Sequence, residues 1–382
     1  RILSGNEAVA QGAWEASVKV ASAYPGTPST EILENLAPMP NVYAEWAPNE
    51  KVALDAAIGA AYAGRRALST MKHVGVNVAA DALFYVAMTG VEAGLVLVSA
   101  DDPSMHSSQN EQDNRQFARF TRIPCLDPAD SQEAKDMTIA AFEISEQFDT
   151  PVLLRLTTRI CHTSGPVDVL PDQQEHPPFP EKYPRNPSKY VMIPANARVH
   201  HKLIEERIVK LTEYAETSPL NVVEMRSKKL GIVTGGIAYQ YAREVFPEAS
   251  VLKLGMVYPV PQDLVQKFAS DVDKLIVLEE LDPFIEEQLR LMGIELYTAA
   301  DAPEIYRQGS KSIFPVCGEL NSTIVRKSAE AAGLLEPSTI ELPYPSEMDL
   351  PNRPPVLCPG CPHRAAFYNL KKMKWPVAGD IG

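Results

Sequence analysis

Five places along the chain gather side chains able to do chemistry. The first is AYPGTPSTEI, residues 23–32, a Pro-clamped turn that ends an apolar strand and opens a helix. Such a turn sets small hydroxyls and free amides at a helix N-terminus, where an anionic substrate can be held, with Thr27 as the cap and Pro28 at the first helical position. Glu50, in WAPNEKVALDAAIG, stands near the start of a predicted helix capped by Asn49, where the helix dipole favours an ionised carboxylate. Both features are also what an ordinary well-capped helix displays. His73, in TMKHVGVN, follows a strand end and has the residue type for proton transfer or for a structural contact at a turn.

The stretch SADDPSMHSSQNEQDNRQFAR follows a buried strand, and the C-terminal edge of a parallel sheet is where doubly wound folds bind ligands. It packs His106, Ser107, Ser108, Gln109, Asn110 and Arg115 closely together, and Arg115 has the planar fork that clamps a carboxylate. A polar surface loop has the same composition. Cys358-Pro-Gly-Cys361-Pro-His363-Arg364 is the last group. A lone Cys-x-x-Cys serves as half a zinc site, a redox pair or part of a cluster. A tetrahedral site needs two further ligands that the chain does not obviously supply, and no run of four close cysteines marks an iron–sulfur cluster, so the chain reads as metal-free.

Elements that would position these groups follow from the hydrophobic pattern. Strands are predicted at 18–24, 67–71, 94–100 and 151–157. Helices are predicted at 29–36, 50–65, 79–89, 109–120 and 131–148, with Gly75 in a turn before the third. This alternation is that of a doubly wound α/β fold with a parallel sheet. Proline and charge rise between Gly165 and Arg198, as in LPDQQEHPPFPEKYPRNP, which is linker chemistry. A mixed-charge helix at 201–217 follows, and apolar strands resume at Leu230 to make a second α/β domain ending near Ala332. In it, Thr234-Gly235-Gly236 lacks both the Gly-x-Gly-x-x-Gly spacing and the Walker lysine, so it reads as a tight strand-to-helix turn. The boundaries are 1–164, 165–225, 226–332 and 333–382.

Composition excludes several classes. The chain has 382 residues, 45% apolar content and a mean hydropathy of -0.15, as in a soluble protein of two or three domains. Its apolar stretches are strand-sized, so no membrane span or signal peptide is expected and the cytoplasm is the expected compartment. A net charge of -13 with scattered basic residues argues against nucleic acid as a partner. Five scattered cysteines do not make a secreted disulfide framework. The chain begins at Arg1 and stops at Gly379-Asp380-Ile381-Gly382, where a strand should feed a helix; a domain beginning near Pro354 needs more than about 40 residues to close a core, so a truncated chain is expected.

Taken in order, AYPGTPSTEI, NEKVALDAAIGAAYAG, TMKHVGVNVAAD, SADDPSMHSSQNEQDNR, VLKLGMVYPVP, EELDPFIEEQ, RPPVLCPGCPHR and the final GDIG resemble the large (alpha) subunits of the indolepyruvate ferredoxin oxidoreductase family, within the thiamine-diphosphate 2-oxoacid:ferredoxin oxidoreductases. The resemblance runs from end to end and is weakest in the Pro-rich linker. It implies a pyrimidine-binding domain at 1–164, a transketolase C-terminal-like domain at 226–332, and the incomplete start of a diphosphate-binding domain at CPGCPHR. Glu50 falls on the glutamate that hydrogen-bonds the cofactor's aminopyrimidine. Thr27 matches a substrate-touching threonine, and Arg115 falls where relatives place a carboxylate-binding arginine, although its flanks depart from theirs. Cys358, Cys361, His363, Asp380, Ile381 and Gly382 match the beginning of the diphosphate-binding domain.

The chemistry implied is a 2-oxoacid plus coenzyme A going to acyl-CoA, carbon dioxide and two electrons for ferredoxin. Thiamine diphosphate with Mg2+ is the implied cofactor, with the metal's ligands beyond Gly382, and 4Fe–4S clusters are expected in a Cys-rich C-terminal part. A small (beta) subunit is the implied partner, in a homodimer of heterodimers. Readings from other classes remain open: a pyruvate-type relative, a non-oxidative 2-oxoacid decarboxylase, which needs no cluster, and a catalytically silent scaffold subunit.

Overall fold

A short strand, β1 (Ile2–Ser4), leads into α1 (Gly5–Glu15), whose start is fixed by a capping box: the Ser4 hydroxyl accepts from the Glu7 N–H and the Glu7 carboxylate accepts from the Ser4 N–H at 2.7 Å. The computed structural model describes residues 1–173, 185–298, 313–337 and 357–378. They belong to two compact units, Arg1–Glu336 and Pro337–Gly382.

After α1 the chain alternates strand and helix: β2 (Val20–Ala23), α2 (Thr30–Leu36), β3 (Tyr43–Trp46), α3 (Glu50–Tyr62), β4 (Ala67–Lys72), α4 (His73–Thr89) and β5 (Leu95–Asp101). There follow α5 (Arg115–Thr121), β6 (Cys125–Leu126), α6 (Ser131–Phe148), β7 (Val152–Thr157), α7 (Thr158–His162) and β8 (Ser164–Pro166). The next described segment carries α8 (Pro187–Tyr190), α9 (Pro194–Thr217), β9 (Asn221–Glu224), β10 (Ser227–Thr234), α10 (Ala238–Val245), β11 (Ala249–Leu254) and β12 (Met256–Tyr258). The first unit closes with α11 (Gln262–Ser270), β13 (Leu275–Leu278), α12 (Phe284–Leu291) and α13 (Ser322–Ala331), and the second holds α14 (His363–Met373).

Two sheets organise the first unit. The larger runs β12-β6-β7-β5-β4-β2-β3, parallel throughout except for the antiparallel edge strand β12, and the smaller runs β13-β10-β11-β9 with β9 antiparallel. All seven residues of β5 are buried, as a strand covered by helices on both faces requires. The doubly wound α/β architecture is therefore as expected. Neighbouring strands β2 and β4 send their connections in opposite directions, to β3 and to β5, which opens a crevice at their C-terminal ends.

Three helix starts differ by several residues from the sequence expectation. Helix α4 starts at His73, directly off β4, so Gly75 lies in its first turn rather than in a preceding loop. Helix α5 starts only at Arg115. Residues 102–114 spend their polar groups locally instead: the Asp102 carboxylate accepts from the N–H groups of His106 and Ser107 and from the Ser108 hydroxyl, and Ser104 and Met105 take positive φ. Helix α9 begins at Pro194, ahead of the expected His201, because proline suits a first turn. Most of the Pro-rich tract lies outside the described residues.

Candidate active site

The crevice between β2 and β4 is walled by the turn after β2. Here the structure corrects one expectation: Thr27 does not cap a helix. Helix α2 starts at Thr30; the Ser29 hydroxyl donates to the Gly26 carbonyl at 3.0 Å and the Gly26 N–H donates to Thr30 Oγ1 at 2.9 Å, so residues 26–30 form a tight turn ahead of the helix. Thr27 is exposed and the Thr27–Pro28 bond is cis. Asn6 anchors the turn from below, donating to the Pro28 carbonyl at 2.7 Å and to Glu31 at 3.0 Å.

Asn49 caps α3 as expected, accepting from the Val52 N–H at 3.0 Å, and this places Glu50 at the first helical position. Glu50 is only 9% exposed, and its carboxylate meets no hydrogen-bond or ion-pair partner among the described residues. It packs against the head of α4. A Cβ added to Gly75 would lie 2.7 Å from both Cγ and Oε1 of Glu50, so only glycine leaves room for the carboxylate there.

His73, the first residue of α4, is fully buried. Its Nε2 lies 3.1 Å from the Asn110 carbonyl, which makes Nε2 the donor, and Nδ1 has no partner among the described residues. Burial holds the imidazole below its ordinary pKa, and the neighbouring Lys72 charge adds to that, so the ring is neutral near pH 7. Asn114 fastens this corner: its side-chain amide donates to the His73 carbonyl at 3.0 Å and to Ser99 Oγ at 2.8 Å. Lys72 caps β4, runs along Gly26 and donates to the Ser107 carbonyl at 2.6 Å. Glu50 thus stands against the first turn of α4, which His73 begins, and Lys72 joins that helix start to Gly26 in the turn after β2.

Arg115 is elsewhere, and its expected role as a substrate clamp does not fit the geometry. It is 1% exposed: Nε donates to Asp113 Oδ1 at 2.9 Å, Nη1 to Glu279 at 2.7 Å, and Nη2 to the carbonyls of Glu280 and Asp282 at 2.8 and 3.2 Å. Every guanidinium nitrogen is committed to protein, and the group joins the larger sheet's end to the segment after β13. Beside it, Arg155 bridges Asp101 at 2.9 Å and Asp127 at 3.1 Å. Burial, partly offset by Arg155, pushes the Asp101 carboxyl up to about 7. Sequence reasoning missed Asp101, Asp113, Asp127, Arg155 and Glu279, since residues so far apart in the chain carry no local signal of pairing. The expected turn at Thr234-Gly235-Gly236 is present, and it abuts this cluster: a Cβ on Gly236, at φ 55°, would lie 2.6 Å from Asp127 Oδ1.

In the second unit, Cys361 Sγ lies 3.6 Å from His363 Nδ1 at the start of α14, and Cys358 is exposed. Asp380, Ile381 and Gly382 lie outside the described residues. Among the described residues no group of three or more His, Cys, Asp or Glu side chains is placed to hold a metal ion, and no helix is long and apolar enough to cross a membrane.

Residues 11–227 match the family model described as pyruvate flavodoxin/ferredoxin oxidoreductase, thiamine diphosphate binding. The chain is 41% identical over 390 residues to indolepyruvate oxidoreductase subunit IorA of Archaeoglobus fulgidus, covering 97% of this chain and 60% of that protein. It is 40% identical over 406 residues to the subunit of the same name from Pyrococcus abyssi, covering 100% and 61%. It therefore spans about 60% of the length of the curated relatives it matches. A solved structure, 2-oxoglutarate:ferredoxin oxidoreductase from Magnetococcus marinus with 2-oxoglutarate, coenzyme A and succinyl-CoA bound, superposes with a TM-score of 0.66 at 17% identity over 87% of this chain and 65% of that one, a likeness of fold.

Proposed function

This chain belongs to the thiamine-diphosphate-binding pyruvate flavodoxin/ferredoxin oxidoreductase family, and we propose that it serves the oxidative decarboxylation of aryl 2-oxoacids of the indolepyruvate type. One 2-oxoacid anion and one coenzyme A thiol give one acyl-CoA, one carbon dioxide, one proton and two electrons, the electrons passing through 4Fe–4S clusters to ferredoxin. The names of the curated relatives favour the indole substrate. A small subunit, a homodimer of heterodimers and a cytoplasmic location belong to the same reading. So do the division into domains at 1–164, 226–332 and 333–382 and the assignment of Cys358, Cys361 and His363 to a diphosphate-binding segment.

The observation that carries the proposal is Glu50: a buried carboxylate without a protein partner among the described residues, seated on a glycine at the switch-point crevice. A largely buried carboxylate that meets no protein donor among the described residues is open to a donor from a ligand. A protonatable ring nitrogen of an aminopyrimidine fits. The chemistry supplied by bound thiamine diphosphate is a carbon nucleophile and an electron sink for decarboxylation. Glu50 would hold the proton shared with the pyrimidine ring, Gly75 would fix where that carboxylate stands, and His73, neutral with Nδ1 open, would accept a hydrogen bond or a proton inside the crevice. Thr27, exposed on the facing turn, would meet the substrate.

The test is anaerobic reduction of a viologen dye by indolepyruvate, phenylpyruvate and pyruvate, with and without coenzyme A, using the full-length protein with its small subunit. Coenzyme-A-dependent reduction with the aryl substrates, falling at least about 100-fold in Glu50→Gln, is the expected result. Carbon dioxide release without dye reduction would assign a non-oxidative decarboxylase instead, and an unaffected Glu50→Gln would remove Glu50 from the mechanism.

A further inference from the structure

His73 meets its hydrogen-bond partner on the loop between β5 and α5, and the geometry points to Glu111 as the residue that positions this partner, clipped in turn by the segment ahead of α13. The inference rests on the role given to His73 above.

The Asn110 carbonyl that accepts from His73 Nε2 belongs to the peptide joining Asn110 to Glu111, so what fixes Glu111 also directs that carbonyl. Glu111 Oε1 accepts from two backbone N–H groups: that of Ser104 at 2.6 Å, in the same loop, and that of Gly318 at 2.8 Å, 207 residues further on. The Glu319 N–H donates to Ser104 Oγ at 2.7 Å, and the Glu319 carboxylate pairs with Arg159 at 2.8 Å and lies 3.4 Å from His106 Nε2. The Leu320 N–H donates to the buried Glu280 carboxylate at 2.8 Å. Three successive N–H groups are thus spent, two on the loop and one on the segment after β13.

The fit is close on both sides. A Cβ on Gly318, at φ 80°, would lie 3.1 Å from Ser104 Oγ. Ser104 and Met105 hold φ of 67° and 54°, a left-handed pair that residues other than glycine keep only where their surroundings impose it. Here the imposing contacts are Glu111 on the Ser104 N–H and the Glu319 N–H on the Ser104 hydroxyl. A carbonyl held at Nε2 keeps the ring proton there and leaves Nδ1 as an acceptor, so the clip sets the tautomer of His73 as well as its orientation.

The experiment uses the complete enzyme with phenylpyruvate and compares wild type, Glu111→Ala, Glu111→Gln, His73→Asn and the double variant of Glu111→Ala with His73→Asn. Glu111→Ala and His73→Asn should each lower kcat about 10- to 100-fold, with KM changed less than about 3-fold and thiamine diphosphate affinity unchanged. Glu111→Gln, which retains the Oε1 acceptor, should recover most of the rate. In the His73→Asn background, Glu111→Ala should cost less than about 2-fold more, because the group it positions is gone. A second readout is modification by diethyl pyrocarbonate, located by peptide mass spectrometry. His73, fully buried, should resist it in wild type and react at least about 10-fold faster in Glu111→Ala. Gly318→Ala, which crowds Ser104 from the other side, should repeat both changes and stands in for Glu111→Ala if that variant does not fold. Wild-type kcat with His73 still protected in Glu111→Ala, or additive losses in the double variant, would overturn the assignment while leaving the functional reading intact. An unchanged rate in His73→Asn would remove His73 from that reading, and the clip with it. Failure of wild type to turn over any 2-oxoacid would sink the functional reading itself.

Discussion

Glu50 and Gly75 occupy one space: the carboxylate of the first sits where the side chain of the second would be, 2.7 Å from an ideal Cβ. Gly75 lies in the first turn of a 17-residue helix, where alanine would by itself add about 1 kcal/mol of helix stability. Gly75→Ala should therefore leave the melting temperature close to wild type, helix gain offsetting local crowding, while activity falls at least about 10-fold as Glu50 is pushed aside. Calorimetry beside dye-reduction assays checks it. A fully active Gly75→Ala would show that the carboxylate has another place to stand.

Arg115 is read as a structural cation. Removing it takes one shared cation away from the buried carboxylates Asp113 and Glu279, so Arg115→Met should cost about 3–5 kcal/mol in denaturant unfolding. Arg115→Lys, which cannot reproduce the fork, should also destabilise the fold, yet the surviving folded enzyme should keep its KM for the 2-oxoacid. A raised KM with unchanged stability would return Arg115 to the substrate.

The buried network around Asp101 makes stability depend on pH. It holds the carboxylates Asp101, Asp113, Asp127 and Glu279 against the two cations Arg115 and Arg155. Asp101 is raised from 3.8 to about 7 in the folded state, and Asp127 shifts the same way, chiefly through burial. Between pH 4 and 7 the folded state therefore holds protons that the unfolded state has released, so stability falls as pH rises through that window and levels off above it. Asp113, shifted downward by Arg115 against the penalty of burial, acts oppositely and only in more acidic solution. Asp101→Asn should remove about 1 kcal/mol per pH unit of that descent, measurable as urea midpoints from pH 5 to 8. An unaltered slope would mean that Asp101 is ionised throughout.

The segment entering α9 is pinned by two neighbours. Lys189 Nζ donates to the Val91 carbonyl at 2.7 Å and pairs with Glu92 and Asp149, each at 3.1 Å. Tyr190 packs on Tyr62 with ring centroids 4.5 Å apart and the planes tilted by 45°, and it donates to Glu92. Tyr190→Ala should cost about 3 kcal/mol, felt first as local opening. Limited proteolysis between residues 185 and 193 should accelerate well before global unfolding. Unchanged cleavage would show the anchor to be redundant.

Much of the larger sheet was legible because its signals are local. The β5 run is uniformly apolar, α6 spans residues 131–148 as its pattern predicts, and Asn49 announces the start of α3. The turn at 24–30 was legible as a turn but not as a cap, since its hydroxyls bond within it. What escaped was decided across the fold. Arg115 lies 164 residues from Glu279, and nothing near either one signals the other. Gly75 looked like a loop glycine, because the reason for it is a side chain from a different helix. Residues 109–114 looked helical by composition, and lost that structure to hydrogen bonds that tie Asn110 to His73 and Asn114 to His73 and Ser99.

Strand β12 carries a consequence for biosynthesis. It pairs with β6 and completes the larger sheet, whose other strands are all finished by Thr157. On the ribosome, the short β6 edge must wait uncovered while the tract leading to α9, α9 itself and most of the smaller sheet are made. An uncovered strand edge is a template for pairing with other chains. Its protection arrives only when Tyr258 emerges, so the order of synthesis leaves this edge unpaired until β11 of the smaller sheet has already been made.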